Sequence, residues 1–394
     1  MNRTPIYLNQ LGLVCALGDQ HHLIQQKLAT GDSSCLTETD TFTPEKTLPL
    51  GVVTTPLPSL SEYPAREQTR TNQLLMAAMI QIREAYEKAA SSIDPLRIGI
   101  ILGTSTSGIA EGEKAIKQWS NSGKLPDDFH YNRQEMAAPA ESLARWLGTK
   151  GPAYVISTAC SSSAKALASA RRLLRMNVCD LVIAGGVDSL CGLTINGFSA
   201  LESVSAKPCQ PFSLSRDGIN IGEGAALFLL SREPGKVTLS GVGESSDAHH
   251  ISAPDPQGKG AIAAMTLALN DARIAPQAVG YINLHGTATP QNDKMESLAV
   301  AQAIGNNVAC SSTKPYTGHT LGAAGAIEAA ICWLTLTQKG STLPVHLWDK
   351  QTDPSITPIN LVAPNTSGEP LRYAMSNSFA FGGNNISLIL ENTE

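Results

Sequence analysis

Cys160 stands where a β-branched, apolar run gives way to an Ala/Leu-rich segment with helical spacing, within residues 154–174. A cysteine at such a strand-to-helix junction lies near unpaired backbone N–H groups at the positive end of a helix dipole. That setting favours the thiolate, which is the nucleophile. Small neighbours, Ala159, Ser161 and Ser162, leave room for a substrate carbonyl. A small buried core thiol is the other reading of the same stretch. Three more polar residues bear on the choice. His285 ends an apolar run at 279–284, and Lys314 and His319 follow another at 308–312. A lone histidine commonly serves as a structural hydrogen-bonder. Two of them, at sheet ends equivalent to that of Cys160, point instead to a shared site, because sites in such sheets lie at the carboxyl ends of strands.

The elements that position these residues can be read in order. Residues 6–16 read as a strand and 23–29 as a helix; 31–65, rich in Thr, Pro and Ser, read as loop with a strand near Val52. Helical spacing over 66–88 places Arg66 and Arg70 one turn apart. A strand at 97–102 enters Gly-Thr-Ser-Thr-Ser-Gly (103–108), and helices follow at 110–119 and 134–147. After the Cys160 unit come strands at 180–184 and 225–230. The remainder repeats this plan: a strand at 237–243, a helix at 260–272, a strand at 279–284 entering His-Gly-Thr-Ala-Thr, a strand at 308–312, a helix at 321–336, and a tail ending in a strand at 386–390. Two similar αβ halves, divided at 1–235 and 236–394, imply parallel-rich sheets covered by helices.

Composition excludes several classes. With 394 residues, 42% of them hydrophobic, a large core can be buried and disorder is disfavoured. Aromatics make up only 5% and the net charge is −5 with no basic run, so nucleic-acid binding has no footprint. Eight scattered cysteines form no CxxC pair, which argues against zinc knuckles and disulfide frameworks and for a reducing compartment. The first 18 residues lack a signal-peptide pattern and no apolar run approaches the ~20 residues of a membrane span, so a cytoplasmic protein is expected.

Four ordered motifs carry a family resemblance over essentially the whole chain: Thr-Ala-Cys-Ser-Ser-Ser (158–163), Leu-His-Gly-Thr-Ala-Thr-Pro (284–290), Ser-Thr-Lys-Pro-Tyr-Thr-Gly-His-Thr-Leu-Gly-Ala-Ala-Gly (312–325) and Asn-Ser-Phe-Ala-Phe-Gly-Gly-Asn (377–384). Together they resemble the elongating β-ketoacyl-acyl-carrier-protein synthases. The stretch Glu-Ser-Ser-Asp-Ala-His-His-Ile-Ser-Ala-Pro (244–254) and the loop at 104–108 are similar to the ketosynthases of bacterial aryl-polyene clusters. The resemblance implies a thiolase-like fold with layered αβαβα architecture. It also implies an acyltransferase that performs a decarboxylative Claisen condensation in fatty-acid-like or aryl-polyene and polyketide synthesis. Cys160 would hold the acyl chain, the N–H groups of Cys160 and Phe381 would form the oxyanion hole, and His285 and His319 would stabilise the enolate left by CO₂ loss. Lys314, partnered by Glu328, would orient His319. Thr287 and Thr289 would hold the pantetheine arm, and Asp293 and Glu296 would serve structure. Thr106, Phe198, Phe379 and Phe381 would line the acyl pocket, with Phe381 as its gate; Thr106 satisfying loop hydrogen bonds is the alternative. Arg66 and Arg70 would meet an acidic acyl carrier protein, or else form a solvated helix face. No metal or redox cofactor is required, since substrates ride on the carrier's phosphopantetheine.

Other chemistries fit less well. A thiolase needs a second cysteine near the C-terminal Gly-Gly, and none follows Cys332. Initiating ketosynthases use Cys-His-Asn rather than Cys-His-His. No Gly-x-Ser-x-Gly elbow is present, and the glycine-rich 211–224 precedes a strand, unlike a nucleotide loop. A catalytically dead chain-length factor lacks the nucleophile that this chain has. Family members dimerise, which leaves a homodimer and a heterodimer with a chain-length-factor homologue both open.

Overall fold

The computed structural model describes residues 4–338, 340, 342–364, 366 and 370–394. The first run of elements is β1 (Tyr7–Cys15), α1 (His21–Thr30), β2 (Thr37–Thr39), β3 (Leu48–Leu50), α2 (Arg70–Ala90), β4 (Ile98–Gly103), α3 (Ile109–Ser122), α4 (Ala138–Leu147), β5 (Ala153–Ile156), α5 (Ser162–Arg175), β6 (Leu181–Asp188), α6 (Gly192–Ala200) and β7 (Gly224–Ser231). The second is β8 (Val237–Ser246), α7 (Lys259–Ala272), β9 (Val279–Asn283), α8 (Pro290–Ala303), β10 (Ala309–Ser311), α9 (Lys314–Thr317), α10 (Ala324–Thr337), β11 (Asn360–Leu361), β12 (Tyr373–Phe379) and β13 (Asn384–Asn392).

The repeat read from the sequence is present as topology. One half orders its strands β5-β4-β6-β7-β1 and the other β10-β9-β12-β13-β8, with β11 added at the far edge. In each, the first two pairings are parallel and the last two antiparallel. The halves meet where Tyr7 of β1 pairs with Thr238 of β8.

Side-chain alternation builds the layers. Along β4, Ile98, Ile100 and Leu102 face a core shared with α2 and α4, while Ile101 faces the opposite way. On β7, Ala225, Leu227 and Leu229 join that outer core; Ala226, Phe228 and Leu230 point to the middle. A third core gathers α7, α8 and one face of β9 and β12. The middle layer is α5 and α10, sandwiched between the two sheets, so α10 is apolar nearly all round and buried on all sides.

Two local expectations change. The helix expected from Arg66 begins at Arg70, where extended Thr69 caps it by accepting from the Asn72 N–H at 3.1 Å. Arg66 sits on a separate 3₁₀ turn, Ala65–Glu67, so the two arginines do not share a helix. The 31–65 loop contains a small hairpin, β2 with β3. Among the described residues, no helix is long and apolar enough to cross a membrane.

The two middle helices touch at Gly325. A Cβ there would stand 2.7 Å from Ala164 Cβ and 2.9 Å from Ala164 N. Gly325→Ala should therefore lower the melting temperature by several degrees. Overpacking costs about 1–3 kcal/mol, which outweighs the roughly 1 kcal/mol that alanine gains over glycine in a helix. A thermal melt in which the alanine variant is the more stable would show that these helices are not in tight contact.

Candidate active site

The loops after β4, β5, β9 and β10 converge at one end of the two sheets. β5 ends at Ile156 and α5 starts at Ser162; between them Ala159 adopts a left-handed backbone, φ 53°. That sharp elbow is held by the Thr158 N–H donating to Ser162 Oγ at 2.8 Å and by Ser161 Oγ donating to the Thr158 carbonyl at 2.8 Å. It projects Cys160 into the site, where its Sγ lies 3.0 Å from His319 Nε2. The thiolate expected from the helix terminus does not hold at rest. Burial pushes the Cys160 thiol up to about 11, against the pull of the Lys314 ammonium and of the Phe381 and Cys160 backbone N–H groups. Desolvation outweighs the helix terminus because the sulfur is almost wholly removed from water.

His319 is clamped by its backbone: its N–H donates to the Asn220 carbonyl at 2.6 Å and its carbonyl accepts from Gly222 N–H at 3.0 Å. Its Nδ1 accepts from the Leu321 N–H at 3.3 Å, which places the ring proton on Nε2, facing Cys160. The His285 ring stands edge-on to that of His319, centroids 5.6 Å apart, and its Nδ1 is buried with no hydrogen-bond partner among the described residues. Burial, and then Lys314, hold both imidazoles well below their ordinary range. Both are neutral near pH 7 and can present N–H donors without carrying charge.

Lys314 is 2% exposed. Its ammonium donates to the His285 carbonyl and pairs with Glu328, which extends from α10. Burial pushes Glu328 up to about 7 while Lys314 pulls it back. The His285 loop is held from below by Glu296, which accepts from His285 N–H at 2.8 Å and Gly286 N–H at 2.7 Å. Asp293 accepts from Phe212 N–H at 2.7 Å and Ala288 N–H at 3.2 Å. Both carboxylates brace backbone, in line with the structural part expected for them.

An open cleft leads to Cys160, lined by His285, Thr287, Thr289, His319, Phe198, Phe379 and Phe381 among others. The Thr287 and Thr289 hydroxyls lie 2.9 Å apart on one wall. Phe381 faces Phe198, ring centroids 5.7 Å apart, on a turn where Gly382 and Gly383 take φ of 82° and 75°. Thr106 is not among the lining residues; it is fully buried and its hydroxyl donates to Asp188 at 2.8 Å. Arg70 is also differently placed: its guanidinium binds the buried Glu223 and the Val53 carbonyl, so it is not free to meet a partner. Arg66 remains half exposed.

Sequence reading missed what the glycine-rich 218–224 segment does. Its Asn220 and Gly222 form the backbone bridge that clamps His319. Asp188 was missed as well, since a single aspartate at a strand end gives no spacing signal. The donor atoms of Cys160, His285 and His319 lie within 4.8 Å of one another, a set that could suit a soft cation. The Lys314 ammonium beside them disfavours positive charge there, as its effect on both histidines indicates.

Comparisons with known proteins identify the family. The models of the beta-ketoacyl synthase N-terminal and C-terminal domains match residues 25–235 and 237–347. The 3-oxoacyl-[acyl-carrier-protein] synthase 2 of Staphylococcus aureus is 33% identical over 352 residues, covering 84% of each chain. A ketosynthase (ApeO) from Xenorhabdus doucetiae, solved in complex with its chain length factor (ApeC), superposes with a TM-score of 0.93 at 45% identity, covering 99% of this chain and 98% of that one. A beta-ketoacyl synthase from Burkholderia phymatum gives 0.89 at 27% identity, covering 99% and 100%. With two domain models spanning most of its length around a Cys-His-His site, this chain belongs to the β-ketoacyl synthase family.

Proposed function

We propose that this chain is an elongating β-ketoacyl-acyl-carrier-protein synthase in which Cys160 receives the acyl chain and His285 and His319 act on the malonyl carrier. The observation that carries the assignment is the meeting of a thiol and two neutral imidazoles at the end of one cleft. In the first half-reaction Cys160 Sγ attacks the acyl thioester and the carrier's sulfur departs with the thiol proton. The oxyanion is held by the N–H groups of Cys160 and Phe381, the two donors that favour negative charge at this sulfur. In the second, the bond from Cα of the malonyl group to its carboxylate breaks, CO₂ leaves, and the electron pair forms an enolate. The His319 Nε2–H and an N–H of His285 stabilise its oxygen. The enolate carbon then attacks the acyl-Cys160 carbonyl, and the C–S bond breaks. The Cys160 thiolate released takes a proton from solvent water, and the β-ketoacyl chain stays on the carrier.

Other residues support these steps. Lys314 with Glu328 fixes the His285 carbonyl, and burial, with Lys314 second, keeps both imidazoles neutral. Thr287 and Thr289 hold the pantetheine arm, and Phe198, Phe379 and Phe381 shape the acyl entrance. Arg66 is the remaining candidate for carrier contact once Arg70 is committed to Glu223. The 45% identity to ApeO, together with the 244–254 stretch, supports a specialised polyene-type pathway for the product. Residues 1–235 would thus supply the acyl-binding thiol and 236–394 the decarboxylating histidines.

The second subunit is proposed to cover β5. Among the described residues that strand pairs only with β4, and all four of its residues, Ala153, Tyr154, Val155 and Ile156, are half buried. An apolar edge left open invites pairing with another chain. The relation to ApeO, solved with its chain length factor, favours a chain-length-factor homologue as that partner.

Incubation with acyl carrier protein should add the acyl mass to the peptide containing Cys160, and Cys160→Ala should take up none; acylation of the alanine variant would overturn the assignment. His285→Ala and His319→Ala should still be acylated, yet release CO₂ from malonyl carrier about 10²–10³-fold more slowly, the usual loss for a missing oxyanion donor. The pH profile gives an independent reading. Because the folded pKa of each histidine lies below 6.5, both stay neutral as pH falls from alkaline values to 6.5 and gain a proton only well below it. Histidine protonation should therefore not slow decarboxylation through pH 6.5. Glu328, pushed up to about 7, titrates in the same range: an inflection that persists in His285→Ala and His319→Ala belongs to Glu328, whereas one that either substitution abolishes would mean an ordinary, solvated imidazole. For assembly, light scattering and condensation assays on the chain alone and with a chain-length-factor homologue should find efficient condensation only in the two-chain complex. A stable homodimer of full activity would refute the heterodimer.

A further inference from the structure

Asp188 ends β6 and is fully buried, yet it touches neither the cleft nor the reacting groups. Its Oδ1 accepts from Thr104 Oγ1 at 2.6 Å, Ser105 N–H at 2.7 Å, Thr106 N–H at 2.8 Å and Thr106 Oγ1 at 2.8 Å. Its Oδ2 accepts from the Ala323 N–H at 2.9 Å. One carboxylate thus ties the loop after β4, from the first half, to the turn after His319, from the second. The two are in close contact: a Cβ on Gly322 would stand 2.7 Å from both Ser105 N and Thr104 C. The turn itself is strained, with Leu321 at φ 51°. Leu321 supplies the N–H that fills His319 Nδ1. A left-handed leucine persists only where its surroundings over-determine it, and Ala323, two residues on, is where the Asp188 carboxylate grips the turn. Burial raises the carboxyl group's pKa, and the hydroxyl and N–H donors of the loop oppose that shift.

We propose that Asp188 is a positioning residue for His319. It pins the 320–323 turn so that the Leu321 N–H occupies Nδ1 and the ring proton stays on Nε2, aimed at Cys160. This rests on the reading of His319 as an enolate-stabilising donor. It adds that the donor's tautomer and aim are set from the other half of the molecule, through a group that never meets substrate. The malonyl half-reaction needs that aim; acyl transfer to Cys160, which uses backbone donors, does not.

Asp188→Asn separates these contacts. With its oxygen kept toward the four loop donors, the amide NH₂ faces the Ala323 N–H, donor against donor, and that N–H keeps only the Thr320 carbonyl, 3.0 Å away. Asp188→Ala removes the grip on the turn without opposing donors. In the purified chain, assembled with its partner if one is required, each variant should be acylated at Cys160 within about twofold of the parent rate. Each should release CO₂ from malonyl carrier roughly tenfold or more slowly, in kcat rather than KM, the order of effect of a lost hydrogen bond to a charged group. Unchanged decarboxylation in Asp188→Asn, or a parallel fall in both half-reactions, would each overturn the proposal. If Asp188→Asn fails to fold, Asp188→Ala decides by the same criteria. Failure of the parent protein in either half-reaction would instead refute the assigned function, so the two failures are distinguishable.

Discussion

The close approach of α5 and α10 is the constraint on which the site depends. Cys160 precedes the first turn of α5, and His319 precedes α10, whose first two turns carry Gly325 and Glu328. Only small residues at the crossing, Gly325 against Ala164, let the two helix starts lie side by side between the sheets. Were either residue larger, the helices would separate by the width of a methyl group or more. The 3.0 Å contact between Cys160 Sγ and His319 Nε2 would then open. The sheets contribute by the same logic: their matching strand orders deliver a loop from each half to the same end. A site assembled from two halves needs no long-range motion to form.

Burial then decides the electrostatics. In water a thiol, two imidazoles, an ammonium and a carboxylate would each take their usual charge. Here the thiol is pushed up to about 11, the imidazoles are held neutral, and Lys314 is tied to Glu328 and to the His285 carbonyl. Removing one partner of such a pair leaves an uncompensated buried charge, which costs far more than the pair gains. The ammonium therefore acts at a distance. It discourages protonation of both rings, so their N–H groups remain donors to an enolate rather than acids that would quench it.

Much of this was legible in the chain. Cys160, His285, Lys314 and His319 declare themselves because each follows an apolar strand pattern and ends in small residues, and the strand–loop–helix units repeat at matching places. The repeat was also enough to imply layered sheets. What periodicity could not register were contacts made by backbone or by one isolated polar residue. The Asn220 and Gly222 bridge to His319 looks like a glycine-rich turn in sequence. Arg70 reads as a surface residue one turn from Arg66 until Glu223, 153 positions away, proves to be its partner. Thr106 reads as a pocket residue only through the family resemblance; its hydroxyl turns to Asp188, the loop hydrogen bonding that stood as the alternative. The thiolate expectation failed for a related reason: a helix terminus is visible in sequence, whereas the depth at which it is buried is not.

A thiol that is protonated at rest suits a two-step condensation. A permanent thiolate would be open to oxidation. Held as a thiol, Cys160 becomes charged only when an acyl thioester enters and the carrier's sulfur can leave with the proton. Once acylated, the sulfur carries no charge at all, so the Nε2–H of His319 no longer has a thiol to face and is left for the enolate. The same imidazole proton can therefore serve the sulfur before acylation and the malonyl oxygen after it, with no change in its own protonation. That economy holds only while Nδ1 is occupied by a backbone N–H, which makes the strained turn after His319 as much a part of the chemistry as the ring.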